Sequence, residues 1–237
     1  MVGYTFKQYD SRWGRKNYNG SSTMAAAGCG PTSCACDIYA INPKITPWIT
    51  AQYMKSHGYA IRNNGTAHAG IPACLKYFGM KDVAEQATMT KMFEKMAKGY
   101  LAVMLFRGGS KGGVTWTLGG HFLAATGYKV ENGKHYLYMR DPGGRDHDGW
   151  YCYETTMRGL VVKVWTCTYD AAQVPKIEPK VKNIYKGSYP TATISKNTGT
   201  KTNKKKWQQF ISWWSEDESF DVDGIFGTQT RNKTIAF

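Results

Sequence analysis

The sequence predicts an α+β fold, helical in its first half and an antiparallel sheet in its second. Three observations predict it. Helix start and stop signals recur between Pro31 and Gly99. Beyond Gly99 the apolar pattern changes to short runs of strand length. Asn132-Gly133, flanked by two such runs, is a strong hairpin signal. A block of helices followed by sequential antiparallel strands is the α+β arrangement.

The elements follow in order. Pro31 fits the first turn of a helix, where its missing N–H costs nothing, and the run from Thr32 to Ile41 continues it. Thr46-Pro47 is a cap with proline at the first helical position, and Gly58 closes that helix. A third helix is expected over 71–78, stopped by Gly79, and a fourth over 90–98, stopped by Gly99. Strands are expected over 100–106, 121–130, 135–140, 150–153 and 160–169. The glycine-rich stretch 107–120 lacks the order of a phosphate-binding loop and reads as a flexible loop beside a cleft.

Three units are expected: a catalytic domain over 1–170, a basic linker over 171–183, and a small, mainly helical module over 184–237. Residues 171–206 hold nine Lys against one Glu, which is the composition of a connector. In the last segment Trp207, Phe210, Ile211 and Trp214 recur at helical spacing, and Asp223-Gly224-Ile225-Phe226-Gly227 forms a compact turn motif.

The net charge of +14 over 237 residues favours a polyanionic partner: nucleic acid, an anionic membrane surface, or an acidic bacterial wall. Charge alone does not choose among these. No membrane-spanning helix is expected. The opening residues lack the basic-then-apolar pattern of a secretory signal, so synthesis in a cytoplasm is expected, with export by another route. The six cysteines have neither the spacing of a small disulfide scaffold nor a C-x-x-C pair. All but Cys29 are therefore expected to be reduced and buried, and neither a metal nor a cofactor is expected.

Chemistry concentrates in three segments. Cys29 lies in Gly28-Cys29-Gly30-Pro31-Thr32, just where a helix begins. The unpaired N–H groups of a helix start favour thiolate. Gly30 and Gly28 would leave room for a substrate backbone. His121 follows Gly119-Gly120 and opens a strand, so its imidazole can serve as the base that a thiol nucleophile needs. Asp141 ends the partner strand of the Asn132-Gly133 hairpin, which returns it beside His121 to fix the imidazole tautomer. An oxyanion requires donors: the Cys29 N–H is one, and the side chain of Gln8 is the best candidate for a second. Gly120 and Trp116 are expected to line the substrate groove. Asp146, His147 and Asp148 are read as solvated turn residues.

These segments resemble the papain-like cysteine peptidases of the bacteriocin-leader-processing type. The similarity rests on Gln8…Asp10…Trp13, Gly28-Cys29-Gly30-Pro31-Thr32, Gly120-His121-Phe122 with Thr126-Gly127-Tyr128, and Asp141-Pro142, and spans roughly residues 4–168. It implies Cys29 as nucleophile, His121 as base, Asp141 as orienter and Gln8 as oxyanion donor. The tail resembles the small peptidoglycan-binding modules of Gram-positive wall lysins, through Trp207-Gln208-Gln209-Phe210 and Val222-Asp223-Gly224-Ile225-Phe226-Gly227. That similarity implies wall contacts by Trp207, Trp214, Asp223 and Phe226. Together the parts resemble a phage endolysin. It would be made in the host bacterial cytoplasm and act on peptidoglycan and anionic wall polymers, with neither nucleic acid nor membrane insertion. An endopeptidase is the favoured reading. An N-acetylmuramoyl-L-alanine amidase, a leader-peptide protease and a non-catalytic wall-binding protein are the alternatives.

Overall fold

The computed structural model describes residues 4–174, 198–215 and 225–226. Contacts divide the chain into two units, Met1–Lys176 and Ile177–Phe237.

The first unit begins with a small hairpin, β1 (Asn17–Asn19) and β2 (Ser22–Thr23). It leads into α1 (Met24–Ala27) and α2 (Cys29–Ile38). Next come α3 (Pro47–Ser56), α4 (Gly70–Tyr77), β3 (Lys81–Glu85) and α5 (Met89–Met96). Then follow β4 (Leu101–Phe106), β5 (Gly109–Lys111), β6 (Val114–Thr117), β7 (His121–Glu131), β8 (Lys134–Arg140), β9 (Gly149–Cys152), α6 (Tyr153–Thr156) and β10 (Val161–Thr168). Six of the strands form one antiparallel sheet in the order β3-β10-β4-β7-β8-β9.

The apolar run of β4 explains the layering. All six of its residues are buried. Leu101, Val103 and Leu105 join the core shared with α2, α3 and α4, while Ala102, Met104 and Phe106 join the core under α5. A strand covered on both faces has no place for alternating polar residues. β7 repeats the split, with Phe122 and Ala124 on the α2 side and Leu123 and Ala125 on the other. The α2 helix is buried along nearly its whole length, so its first residue is held rigidly against the sheet.

Two expectations need correction. The helical half contains strands: besides the small β1–β2 hairpin, β3 pairs antiparallel with β10 and forms one edge of the main sheet. Its sequence, Lys-Asp-Val-Ala-Glu, is charged because it faces solvent on an edge. The glycine-rich stretch is not an irregular loop but holds the β5–β6 hairpin, turned by Gly112 and Gly113 at φ +57° and +77°. Two successive residues at positive φ match a two-residue hairpin turn. Asn132-Gly133 makes the same kind of turn between β7 and β8, at φ 50° and 70°. All six cysteines are free; Cys29 is half-buried and the other five are buried.

In the second unit, α7 spans Lys201–Ser215. Phe210 and Ile211 are buried and Trp207 packs its ring 5.4 Å from that of Phe210. Gln208, also buried, donates from Nε2 to the Ile225 carbonyl at 3.0 Å. Phe226 is half-buried. Trp214 falls within α7. Asp223 and most of the expected linker lie outside the described residues, as does the rest of the turn motif apart from Ile225 and Phe226. No helix among the described residues is long and apolar enough to cross a membrane.

Candidate active site

Cys29 is the first residue of α2, following Gly28 at the N-cap. The opening N–H groups of a helix lack intrahelical acceptors and carry partial positive charge. His121 opens β7, directly opposite Phe106 at the end of β4. Its Nε2 donates to Asp141 Oδ1 at 2.8 Å, and Asp141 directly follows the last residue of β8. The other ring nitrogen, Nδ1, is thereby left for the thiol, and the Cys29 and His121 side chains influence each other's protonation. The structure thus brings together the three residues that the sequence singles out, across a sequence separation of more than ninety residues between the thiol and the ring.

The electrostatics favour a thiolate–imidazolium pair. Burial works against a charged thiol, but the hydrogen bond and charge of His121, with the Phe122 and Gly30 N–H groups, outweigh it and hold Cys29 below its ordinary value. Burial likewise opposes a charged imidazole, yet Asp141 and Cys29 push His121 up to about 9. Asp141, itself fully buried, is held below the usual carboxylate range against the burial that would raise it. The His121 ring is responsible, together with N–H groups of Gly143 to Oδ1 at 2.8 Å and of His147 to Oδ2 at 3.2 Å. A carboxylate with these donors is both oriented and kept ionised.

In the loop after Asp141, Asp146 and Asp148 are exposed, as expected of solvated turn residues, and the loop is a structural support as well. Asp148 accepts the Asp141 N–H at 2.8 Å. Lys7 reaches Asp146 and Asp148, each at 2.8 Å, and donates to the Asp141 carbonyl at 2.9 Å. His147 contacts the Thr115 carbonyl through Nε2 at 2.9 Å. Gly143 sits so close to the pair that a Cβ there would lie 3.0 Å from His121 Nε2. Sequence reasoning passed over Lys7 and Gly143; the only signal available was their adjacency to Gln8 and Asp141.

Gln8 is buried and bridges the two halves of the site. Its backbone N–H donates to the Pro142 carbonyl at 2.9 Å, and its Nε2 donates to the Ala25 carbonyl at 2.6 Å. That last bond uses one of its two amide hydrogens, and its Oε1 is buried without a hydrogen-bond partner. Gly120 and Cys29 line an open cleft of about 930 Å³. Trp116 does not line it. That side chain is 1% exposed and donates to the Thr156 carbonyl at 2.7 Å, in the core on the other face of the sheet. Gly30 is also accounted for differently: a Cβ there would meet Thr66 Oγ1 at 2.5 Å, so the room it leaves is filled by the protein's own Thr66. Gly28 likewise yields to the Met24 carbonyl, 2.5 Å from a Cβ. No cluster of His, Cys, Asp and Glu among the described residues is arranged to hold a metal ion.

Residues 6–173 match the model of the Peptidase_C39 like family. The chain belongs to this family. It is a cysteine peptidase by descent, and its mixed helix-and-sheet architecture is the papain-like fold of such enzymes. A solved protein from Bacillus anthracis, described as a C39-like peptidase, is similar at 14% identity and a TM-score of 0.47. The match covers 70% of this chain and 94% of that one. A search among curated protein sequences gave no significant match.

Proposed function

We infer that this C39-like enzyme is a peptidoglycan hydrolase that cuts an amide bond of the bacterial wall, as an endopeptidase of endolysin type. The observation that carries the hydrolytic part is the ordered chain from the Cys29 thiol through His121 to the buried Asp141 carboxylate. The Cys29 thiolate attacks the carbonyl carbon, forming the C–S bond. The charge on the oxygen is met by the Cys29 N–H and by the remaining N–H of Gln8. His121 gives its proton to the leaving amine as the C–N bond breaks. Water, deprotonated by His121, then attacks the thioester as its C–S bond breaks, which releases the acyl group and restores the thiolate–imidazolium pair. Asp141 keeps the ring in the productive tautomer.

The choice of wall as substrate draws on the net charge of +14 and on the likeness of the tail to wall-binding modules. Teichoic acids and wall carboxylates are anionic, and a tethered enzyme works at raised local concentration. Trp207, Trp214, Asp223 and Phe226 are the proposed wall contacts of the second unit, and the enzyme would reach the wall after release from the host bacterial cytoplasm.

The test is direct. Purified walls of several Gram-positive species are incubated with the protein and with Cys29→Ala, and the new ends are identified by mass spectrometry. Newly freed amino groups of D-amino acids or cross-bridges mark an endopeptidase; freed L-alanine termini mark an amidase. Cleavage of soluble leader peptides with intact walls would instead favour a leader-processing protease.

A further inference from the structure

The cleft beside Cys29 has a charge pattern that the hydrolytic chemistry does not explain. Its walls come from the loop 61–69, from α1 and the start of α2, and from the ends of β4 and β7. Leu105 and Phe122 supply apolar surface. Among its lining residues there is no Asp or Glu, and Arg107 is the one Lys or Arg. Arg107 follows Phe106, which pairs with His121, so it leaves the sheet one residue beyond the strand partner of the base. Just past the end of β4, Arg107 lines the cleft together with Leu105 and Phe106.

The Arg107 backbone is fixed by its N–H on the Leu160 carbonyl at 3.0 Å. Its guanidinium has no carboxylate partner among the described residues. Of the other arginines in this unit, Arg12 pairs with Asp10, Arg140 donates to Thr5 and Thr126, and Arg158 lies over the Tyr153 ring; Arg107 is distinguished by its place on the cleft wall. Arg107 is exposed, and an unpaired guanidinium on the wall of a cleft without carboxylates is complementary to an anion. Its planar fork suits a carboxylate in particular.

We propose that Arg107 is a specificity-determining residue, and that the cleft takes a carboxylate of the peptide substrate close to the scissile bond. This rests on the reading of Cys29 as the nucleophile of a peptide-bond hydrolase. It goes beyond that reading by naming the group that is recognised. The carboxylate is either an acidic side chain or the terminal carboxylate of a short stem, and both present the same fork of oxygens. Substrates carrying a carboxamide there leave the guanidinium without its partner and bind less well.

The test uses the full chain and matched internally quenched peptides. One set places Glu or Gln at each of three positions on either side of the scissile bond. A second set compares a free C-terminal carboxylate with its amide. Wild type is expected to favour the acid at one position by roughly tenfold or more in kcat/KM, chiefly through KM. Arg107→Gln brings that ratio close to one, Arg107→Lys restores part of it, and Arg107→Glu turns it toward a Lys-bearing peptide. Because each comparison is a ratio within one variant, loss of folded protein cancels. An acid preference that survives in Arg107→Gln overturns the proposal, as does cleavage by wild type with no acid preference in either set. If wild type releases wall fragments but cuts no peptide of either set, this inference is overturned while the hydrolase reading stands; if it acts on neither walls nor peptides, the hydrolase reading itself has failed.

Discussion

The His121 ring and the Asp141 carboxylate meet at 2.8 Å with the carboxylate fully buried, so the imidazole holds its proton well above its ordinary range. The competent state, thiolate with imidazolium, therefore exists between two limits. Falling pH protonates the Cys29 thiolate, and rising pH removes the His121 proton. A bell-shaped profile of kcat/KM is expected, with its alkaline limb near 9. In Asp141→Asn the ring loses the charge that raises it, so the alkaline limb moves to lower pH and the rate falls by roughly 10²-fold or more. A pH series on both proteins checks this; an unmoved limb would mean that another group sets it.

Cys29→Ala should lower hydrolysis by roughly 10³-fold or more while leaving the melting temperature nearly unchanged. The half-buried Cys29 thiol should also react with iodoacetamide well before the five buried ones. Peptide mapping after brief alkylation reads the order, and early labelling of Cys152 or Cys74 would contradict it.

Gln8→Ala should reduce kcat by roughly 10²-fold with little change in KM, as expected when a donor to the developing oxyanion is removed. Steady-state kinetics on a soluble peptide separates the two constants. A rise in KM alone would place Gln8 in ground-state binding.

Gly30→Ala puts a methyl group against Thr66, whose Oγ1 also contacts the Tyr18 hydroxyl at 2.7 Å. A loss of about 1–3 kcal/mol is expected from such overpacking. Combining it with Thr66→Gly should recover part of that loss, measured by urea unfolding. Strict additivity of the two substitutions would show that the contact is not the cause.

Glu154 ties α6 to β8 by accepting from the His135 N–H at 3.1 Å and contacting its ring at 2.6 Å. Burial would raise its carboxyl, but His135 and neighbouring N–H groups bring it down to about 2. A carboxylate depressed on folding contributes stability above its ordinary range and loses it as pH falls through the depressed value. Glu154→Gln should therefore lower the melting temperature by roughly a few degrees near neutral pH. The gap to wild type should close between about 4.5 and about 2, as calorimetry across that range would reveal.

What the sequence made legible is what local chemistry specifies. A cysteine at a helix start, a histidine opening a strand after glycines, and an aspartate at the far end of an Asn-Gly hairpin each declare themselves by their neighbours. The hairpin then does the long-range work of bringing Asp141 to His121. β3 was not legible, because a charged edge strand has the composition of a loop and is defined only by β10 alongside it. The β5–β6 hairpin was hidden by its glycines, whose positive φ values make the turn that composition alone reads as slack. Trp116 was misplaced because an aromatic beside a glycine-rich stretch looks like a groove wall until the second core beneath the sheet is known. Thr66, Lys7 and Arg107 belong to the site through contacts that no pattern along the chain announces.

The segment from Thr5 to Tyr9 acts as a cross-tie. Thr5 accepts from Arg140, Lys7 holds Asp141, Asp146 and Asp148, Gln8 grips Pro142 and Ala25, and Tyr9 reaches Asp146. Anyone fusing an affinity handle or a partner protein ahead of Tyr4 would be pulling on the same short cord that keeps the proton relay taut. Comparing turnover with that of a fusion at the other terminus would measure how far tension at this end detunes the enzyme.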